Sequence, residues 1–154
     1  MYETEKWLVY EDEDFEEDVP IIVEALRPFT KQSKQQRLNE RKIVSQILLP
    51  FAHRYIDSIF VIPEGGNVLG TYVHYRLKLP LLRNPADITE HTAIGDDIVD
   101  TGKTMAKYAT KGNLAFALFY HRQSIIVPDI WRHEKLEKWI HFMWEAPEDG
   151  DDRI

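Results

Sequence analysis

The chain has 154 residues, enough for one domain with a single hydrophobic core. It contains no cysteine, which excludes disulfide bonds and thiolate metal sites, and no apolar run approaches the roughly 20 residues of a membrane span. The net charge is −7, and the sequence lacks the basic stripe that nonspecific nucleic-acid binding needs. We therefore expect a soluble, cytoplasmic protein that binds neither nucleic acid nor membranes.

The excess negative charge is concentrated near the N-terminus. Residues 11–18 hold seven of the 26 acidic residues and no basic residue, while the rest of the chain has 19 of each. Like charges at this density repel one another, so this segment is predicted to be a solvated loop after a short strand at residues 6–10. We divide the chain into an N-terminal extension, residues 1–36, and a main domain, residues 37–154.

The main domain begins with a helical pattern. Over residues 37–55, apolar side chains recur at steps of three and four, which predicts a helix that Pro50 ends or kinks.

Short apolar runs then alternate with glycine turns and helical segments. Strands are predicted at residues 58–63, 91–95, 114–120, 124–128 and 138–143, and helices at residues 67–77 and 101–111. This alternation is typical of a parallel α/β sheet with right-handed crossovers. Ligands bind such sheets at the carboxyl ends of the strands, where the loops at residues 64–67 and 96–104 fall.

The loop at residues 96–104 contains the most specific motif, within the stretch AIGDDIVDTGKT. Its Gly102-Lys103-Thr104 matches the end of a nucleoside-triphosphate P-loop, but Asp97 stands where that motif needs glycine. An adjacent acidic pair would repel a triphosphate, so we reject the P-loop interpretation.

A ribose 5-phosphate group suits this loop better. Free backbone N–H groups at a helix start, with the Thr101 and Thr104 hydroxyls, favour a monophosphate. The carboxylates of Asp96 and Asp97 can accept hydrogen bonds from vicinal ribose hydroxyls and share Mg²⁺ with them. The residues alone leave open the alternative that these aspartates only cap the helix.

Three segments resemble the type I phosphoribosyltransferases. Residues 94–105 are similar to the family's signature, and residues 60–78, FVIPEGGNVLGTYVHYRLK, to its strand, diphosphate-binding Gly-Gly loop and helix. Residues 126–129, followed by residues 138–145, look like the closing segment of the xanthine–guanine–hypoxanthine subgroup. The resemblance implies an α/β fold whose central parallel sheet is flanked by helices, with a small C-terminal hood from residues 121–145. It also implies Mg²⁺-dependent transfer of a phosphoribosyl group from 5-phosphoribosyl 1-diphosphate to a 6-oxopurine base, a reaction of purine salvage.

The resemblance also implies roles for individual residues. Asp96 and Asp97 would bind the ribose hydroxyls and Mg²⁺, and Asp100 would exchange a proton with N7 of the purine. The 5-phosphate would be cradled by Thr101, Gly102, Lys103 and Thr104.

Other positions would bind the diphosphate and the base. Glu64, Gly65 and Gly66 occupy the diphosphate loop. Trp139 would stack on the base and the Ile140 backbone would bind its edge, while His121 and Arg122 stand where the subgroup has a base-binding lysine. The resemblance also allows a homodimer.

Two departures from the family pattern support alternative functions. Purine members usually carry arginine where this chain has Glu64, and a carboxylate there opposes a diphosphate. Residues 80–92 are also too short for the family's mobile hood. The chain could therefore be a non-catalytic nucleotide-sensing module of the same fold, or a related hydrolase that uses the open site.

Overall fold

The computed structural model describes residues 1–30 and 54–146. The helix predicted over residues 37–55 lies almost wholly outside these described residues, so its prediction stands as made.

A parallel sheet forms the centre of the described structure. Its strands are β3 (Ser58–Val61), β4 (Leu81–Leu82), β5 (Thr92–Val99), β6 (Ala115–Tyr120) and β7 (Ile130–Glu134). They lie in the order β4-β3-β5-β6-β7, and every neighbouring pair is parallel. Because parallel strands share one carboxyl edge, the segments that follow β3, β5 and β6 meet at that edge. This confirms the predicted α/β fold.

Helices follow β3 and β5, as predicted. Helix α2 (Asn67–Leu77) has the predicted bounds, and Gly70 lets it approach β3, because a Cβ there would lie 2.3 Å from Val61 Cγ1. Helix α3 (Lys103–Tyr108) has only six residues and is shorter than the predicted 101–111.

A second, smaller sheet joins both ends of the described chain. Strand β1 (Tyr2–Glu3) is antiparallel to β2 (Trp7–Tyr10), and β2 is parallel to β8 (Trp139–Phe142). The strand predicted at residues 6–10 is therefore confirmed. The hood predicted from residues 121–145 includes β8, which pairs with N-terminal strands.

The acidic segment is not a loop, and this prediction was wrong. Helix α1 (Asp12–Leu26) begins within it and packs against α2 and β7. Apolar side chains on one helix face are buried: Phe15, Val19, Ile22, Val23 and Leu26. The acidic residues in the first turn interact favourably with the positive end of the helix dipole. This attraction, which the prediction of a loop left out, offsets the repulsion between the carboxylates.

Two predicted strands differ from the observed ones. The strand predicted at 91–95 continues to Val99, because β5 pairs with β6 along its length. Residues 124–128 form no strand, and the last strand of the central sheet is β7, whose sequence IWRHE shows no continuous apolar run.

None of the described helices has the length and apolar character needed to cross a membrane.

Candidate nucleotide-binding site

The acidic pair lies in strand β5 itself, and the loop at its carboxyl end begins at Asp100, not at Asp96. The Asp97 backbone N–H donates to Asp96 Oδ1 at 2.8 Å, and the Ile98 N–H donates to Asp97 Oδ1 at 2.7 Å. These bonds fix both carboxylates at the end of the central strand, where a ligand of the sheet would lie.

Asp96 is in an unfavourable environment for a negative charge. Its side chain is 9% exposed, and its burial, followed by the charge of Asp97, raises its pKa to about 9. Burial beside Asp97 therefore favours the protonated form of Asp96 at neutral pH. A bound cation would favour the ionised form instead, so this pair is poised to bind positive charge.

The Gly-Gly loop contacts the acidic pair directly. A Cβ on Gly65 would lie 2.3 Å from Asp97 Oδ2, so only glycine fits this close approach. The Pro63–Glu64 peptide is cis, and the Gly66 N–H donates to the Ile62 carbonyl at 3.0 Å. The structure thus brings the Gly-Gly loop into contact with the acidic pair, although the two segments lie about thirty residues apart in sequence.

A cavity of about 260 Å³ opens beside the loop Asp100–Thr104, which belongs to the signature and is called the signature loop below. It is lined by residues from β5, the following loop, α3 and the first residue of β8: Asp96, Ile98, Val99, Asp100, Thr101, Gly102, Thr104, Met105 and Trp139. Most of the predicted ribose-phosphate residues therefore border one cavity with the predicted base-stacking residue. Lys103, the remaining loop residue, is exposed and is not among the described residues that line the cavity.

The backbone of the loop is suited to an anion. Among the described residues, no acceptor pairs with the Thr101 and Gly102 N–H groups. Gly102 has φ 82°, a left-handed conformation that favours glycine, and a Cβ there would lie 2.2 Å from Ser124 Oγ. Since α3 is short, the N–H groups and threonine hydroxyls of this loop, rather than a helix dipole, would hold a phosphate.

The segment after β6 supports this loop from behind. The Ile125 N–H donates to the Thr101 carbonyl at 2.9 Å, and the His121 N–H donates to the Val99 carbonyl at 2.9 Å. These bonds fix the loop before any ligand binds, which lowers the entropy cost of binding.

Trp139 and Ile140 occupy different environments. Trp139 is 46% exposed at the start of β8 and borders the cavity, whereas the Ile140 side chain is fully buried. Strand β8 is an edge strand that pairs with β2 on one side. Some of its backbone N–H and C=O groups therefore face away from β2. The predicted binding of a base edge by the Ile140 backbone would require such unpaired groups.

His121 and Arg122 are not among the described residues that line the cavity. The Nδ1 atom of His121 accepts from the Gln123 N–H at 3.0 Å, and Arg122 Nε donates to Glu134 at 2.7 Å. The hydrogen bond from Arg122 holds the pKa of the partly exposed Glu134 carboxyl below its ordinary value. Base binding by His121 and Arg122 stays a prediction.

Sequence reasoning missed two residues that contact Asp100. Gln123 Nε2 donates to Asp100 Oδ1 at 3.0 Å, and Lys135 Nζ lies 3.7 Å from the same oxygen. Lys135 is 7% exposed and directly follows β7. Nothing in the local sequence indicated a role for Lys135, because it follows a strand that has no clear apolar pattern. Only the folded structure brings it close to the signature loop.

Residues 80–92 do not cover the site. Ile88 is buried, and Asn113 Nδ2 donates to the Thr89 and Thr92 carbonyls at 2.8 Å, which ties this segment to the amino edge of the sheet. Its first residues, from Leu81 to Pro85, lie beside Pro63 at a separate cavity of about 290 Å³. Glu64 is exposed, and none of the described residues forms a hydrogen bond or ion pair with its side chain.

Solved structures with this fold include purine phosphoribosyltransferases. A purine phosphoribosyltransferase from Pyrococcus horikoshii matches with a TM-score of 0.64 and 20% identity, covering 93% of this chain and 96% of that one. The xanthine-guanine-hypoxanthine phosphoribosyltransferase of Helicobacter pylori matches with a TM-score of 0.59 and 19% identity, covering 88% and 90%. A hypothetical protein from Neisseria gonorrhoeae, with bound ppGpp, matches with a TM-score of 0.54 and 12% identity, covering 94% and 92%.

By sequence, no family model and no curated protein matches the chain. The chain nevertheless has the type I phosphoribosyltransferase fold, as the signature predicted. Mg²⁺ binding, a homodimer and a cytoplasmic location stay predictions.

Proposed function

We propose that this protein binds purine nucleoside 5′-monophosphates and forms them by transferring a phosphoribosyl group from 5-phosphoribosyl 1-diphosphate to a 6-oxopurine base. One observation carries the proposal: Asp96, Trp139 and all residues of the loop Asp100–Thr104 except Lys103 border the same cavity. A carboxylate, an anion-binding backbone and an aromatic face suit a ribose, a phosphate and a base, respectively.

The reaction exchanges the substituent at C1′ of the ribose. The C1′–O bond to diphosphate breaks, the C1′–N bond to the base forms, and the base loses one ring N–H proton. Asp100 borders the cavity and would accept this proton, while Asp96 and Asp97 would hold the ribose hydroxyls. Catalysis would rest mainly on positioning and charge stabilisation.

The donor set near the acidic pair fits Mg²⁺. Within residues 1–30 and 54–146, no group of three or more His, Cys, Asp or Glu side chains forms a complete metal site. Mg²⁺ does not need one, because it commonly binds one or two carboxylates together with water and substrate phosphates. Asp96 and Asp97 would supply the carboxylates, and the ion would neutralise charge on the leaving diphosphate.

A second candidate is a nucleotide-binding module without transferase activity. Glu64 places a carboxylate in the diphosphate loop, and a charge pair about 6 Å apart opposes binding by about 3 kcal/mol at an effective dielectric near 20. Residues 80–92 leave the site open to water. The Neisseria protein of this fold, with its bound ppGpp, is compatible with this candidate.

Calorimetry separates the two candidates. The native chain is titrated with inosine 5′-monophosphate and, separately, with 5-phosphoribosyl 1-diphosphate plus Mg²⁺, and product formation is measured with hypoxanthine as the base. Binding of both ligands with turnover supports the transferase. Binding of the monophosphate alone supports the binding module, and binding of neither contradicts both.

Substitution of Glu64 tests the charge argument. Glu64→Arg replaces repulsion with a phosphate donor, so we expect the affinity for the diphosphate substrate to rise by more than about tenfold. Glu64→Gln should give a smaller gain, because it removes only the repulsion. Monophosphate affinity should stay unchanged and serves as the control. A native chain that is already active and becomes worse with Glu64→Arg would show that Glu64 does not oppose the diphosphate.

A further inference from the structure

Lys135 is a buried cation whose side chain lies between two parts of the proposed site. Its ammonium is 3.7 Å from Asp100 Oδ1 and 4.9 Å from the centre of the Trp139 ring. Burying an ammonium is costly unless it is compensated, and here a carboxylate and an aromatic face both compensate it. Among the described residues, Asp100 is its one ion-pair partner.

The position of Lys135 is fixed by the backbone. Its N–H donates to the Tyr120 carbonyl at 2.8 Å, and its ammonium also donates to the Leu136 carbonyl at 3.3 Å. Lys135 is not among the described residues that line the cavity, although Asp100 and Trp139 both are. It therefore lies behind the two groups that would touch the base.

The contacts of Asp100 fall on one oxygen. Gln123 and Lys135 both approach Oδ1, and among the described residues Oδ2 has no hydrogen-bond or ion-pair partner. Fixing one oxygen from behind leaves the other available to a ligand in the cavity. The same ammonium lies over the Trp139 ring, so one side chain orients both the acceptor and the stacking surface.

We propose that Lys135 is a positioning residue for base recognition, which holds the Asp100 carboxylate and the Trp139 ring in the orientation that a purine requires. This inference rests on the proposed function, because it needs a purine in the cavity. Lys135 touches neither the base nor the phosphate, and it acts through Asp100 and Trp139.

The test compares two ligands that differ by the base. Inosine 5′-monophosphate and ribose 5-phosphate are titrated into the native chain and into Lys135→Met, which keeps an unbranched side chain but removes the charge. We expect monophosphate affinity to fall by about tenfold or more and ribose 5-phosphate affinity to change by less than about twofold. Lys138→Met is the matched control, because Lys138 bonds Glu3 and the Thr4 carbonyl and should affect neither ligand.

Fluorescence and an exposed variant add independent readouts. Removing the charge near the indole should change the fluorescence emission of Trp139 in Lys135→Met, whereas Lys138→Met should leave it unchanged. The emission of Trp139 is obtained in each case by subtracting the spectrum of the matching Trp139→Phe protein. Gln123→Leu, at an exposed position, should lower monophosphate affinity by about two- to threefold and spare ribose 5-phosphate. If Lys135→Met does not fold, Gln123→Leu decides, and unchanged monophosphate affinity in that variant overturns the proposal.

The remaining outcomes separate the inference from the proposed function. Equal losses for both ligands in Lys135→Met, or no loss for either, overturn the positioning role while native binding leaves the proposed function intact. A native chain that binds neither ligand overturns the proposed function and this inference together. Native binding of ribose 5-phosphate without the monophosphate overturns base recognition and keeps only the phosphate site.

Discussion

Asp18 and Asp96 are both buried, at 1% and 9% exposure, but their surroundings are opposite. Asp18, on α1, lies within hydrogen-bond distance of Tyr10 Oη, Arg132 Nε and His133 Nε2, at 2.7, 2.9 and 2.6 Å. Burial alone would raise the pKa of Asp18, but the bonds to His133, Tyr10 and Arg132 outweigh it and hold the pKa below its ordinary value.

Asp96 has no such compensation among the described residues. It accepts one backbone hydrogen bond, from the next residue, and its nearest charge is the like-signed Asp97. A buried carboxylate that the protein surrounds with donors serves stability, whereas a buried carboxyl group left beside a like charge in a cavity is a candidate to bind a ligand. We therefore expect Asp18 to serve the fold and Asp96 to serve the site.

The largest expected effect is at Asp18. Asp18→Asn removes the charge that Arg132 and His133 share, and breaking such a buried pair should destabilise the fold by about 3 kcal/mol. Because the folded pKa of Asp18 is lowered, its stabilisation is complete above the unfolded pKa of about 3.9 and is lost as the pH falls through the folded pKa. Urea unfolding of both proteins at pH 7 and pH 3 measures this.

The exposed residue Glu17, on the same helix, provides the control. Glu17→Gln should change the free energy of unfolding by less than about 0.5 kcal/mol. An Asp18→Asn protein as stable as Glu17→Gln at pH 7 would show that the cluster contributes nothing net.

The next effect has the opposite sign. Asp96→Asn keeps the acceptor for the Asp97 N–H and removes the cost of protonating a buried carboxyl on folding, so it should stabilise the ligand-free protein at pH 7 by about 1–3 kcal/mol. Because the folded pKa of Asp96 is raised, its stabilisation is complete below about pH 4 and is lost as the pH rises to about 9. The advantage of the variant should therefore grow over this range, as thermal unfolding would measure.

A matched change at exposed Asp87 should leave this pH dependence intact. If Asp96→Asn were destabilising at pH 8, the carboxyl would be favourably placed in the ligand-free protein, and the contrast with Asp18 would fail.

The local spacing of apolar residues predicted the helices and strands that bury such residues continuously or at regular intervals. Strand β3 and helix α2 bury continuous or regularly spaced apolar side chains, so periodicity alone placed them. The signature loop was predicted because its glycine, hydroxyls and acids lie adjacent in sequence. Most of these residues line one cavity, together with Trp139, more than thirty residues away in sequence, and their roles stay predictions.

The elements that were missed depend on distant partners. Helix α1 packs on α2 and β7, and its Asp18 contacts Arg132 and His133, 114 and 115 residues away in sequence. Strand β7 presents those same polar side chains, so its own pattern does not show why it is ordered, whereas the apolar residues of α1 do recur at helical spacing among its acidic residues. Lys135 was missed for the same reason, because its partners Asp100 and Trp139 belong to other elements.

The most direct test of the central claim is a titration of native protein and Thr104→Val with inosine 5′-monophosphate. The substitution nearly keeps the side-chain volume and removes one hydroxyl that borders the cavity, and losing a bond to a charged phosphate costs about 1.5–3 kcal/mol. We predict about a tenfold or greater loss of affinity with an unchanged melting temperature, and no loss in Thr110→Val, whose exposed hydroxyl lies outside the cavity. Equal affinity in native and Thr104→Val proteins would contradict the account, because the signature loop would then not be a phosphate site.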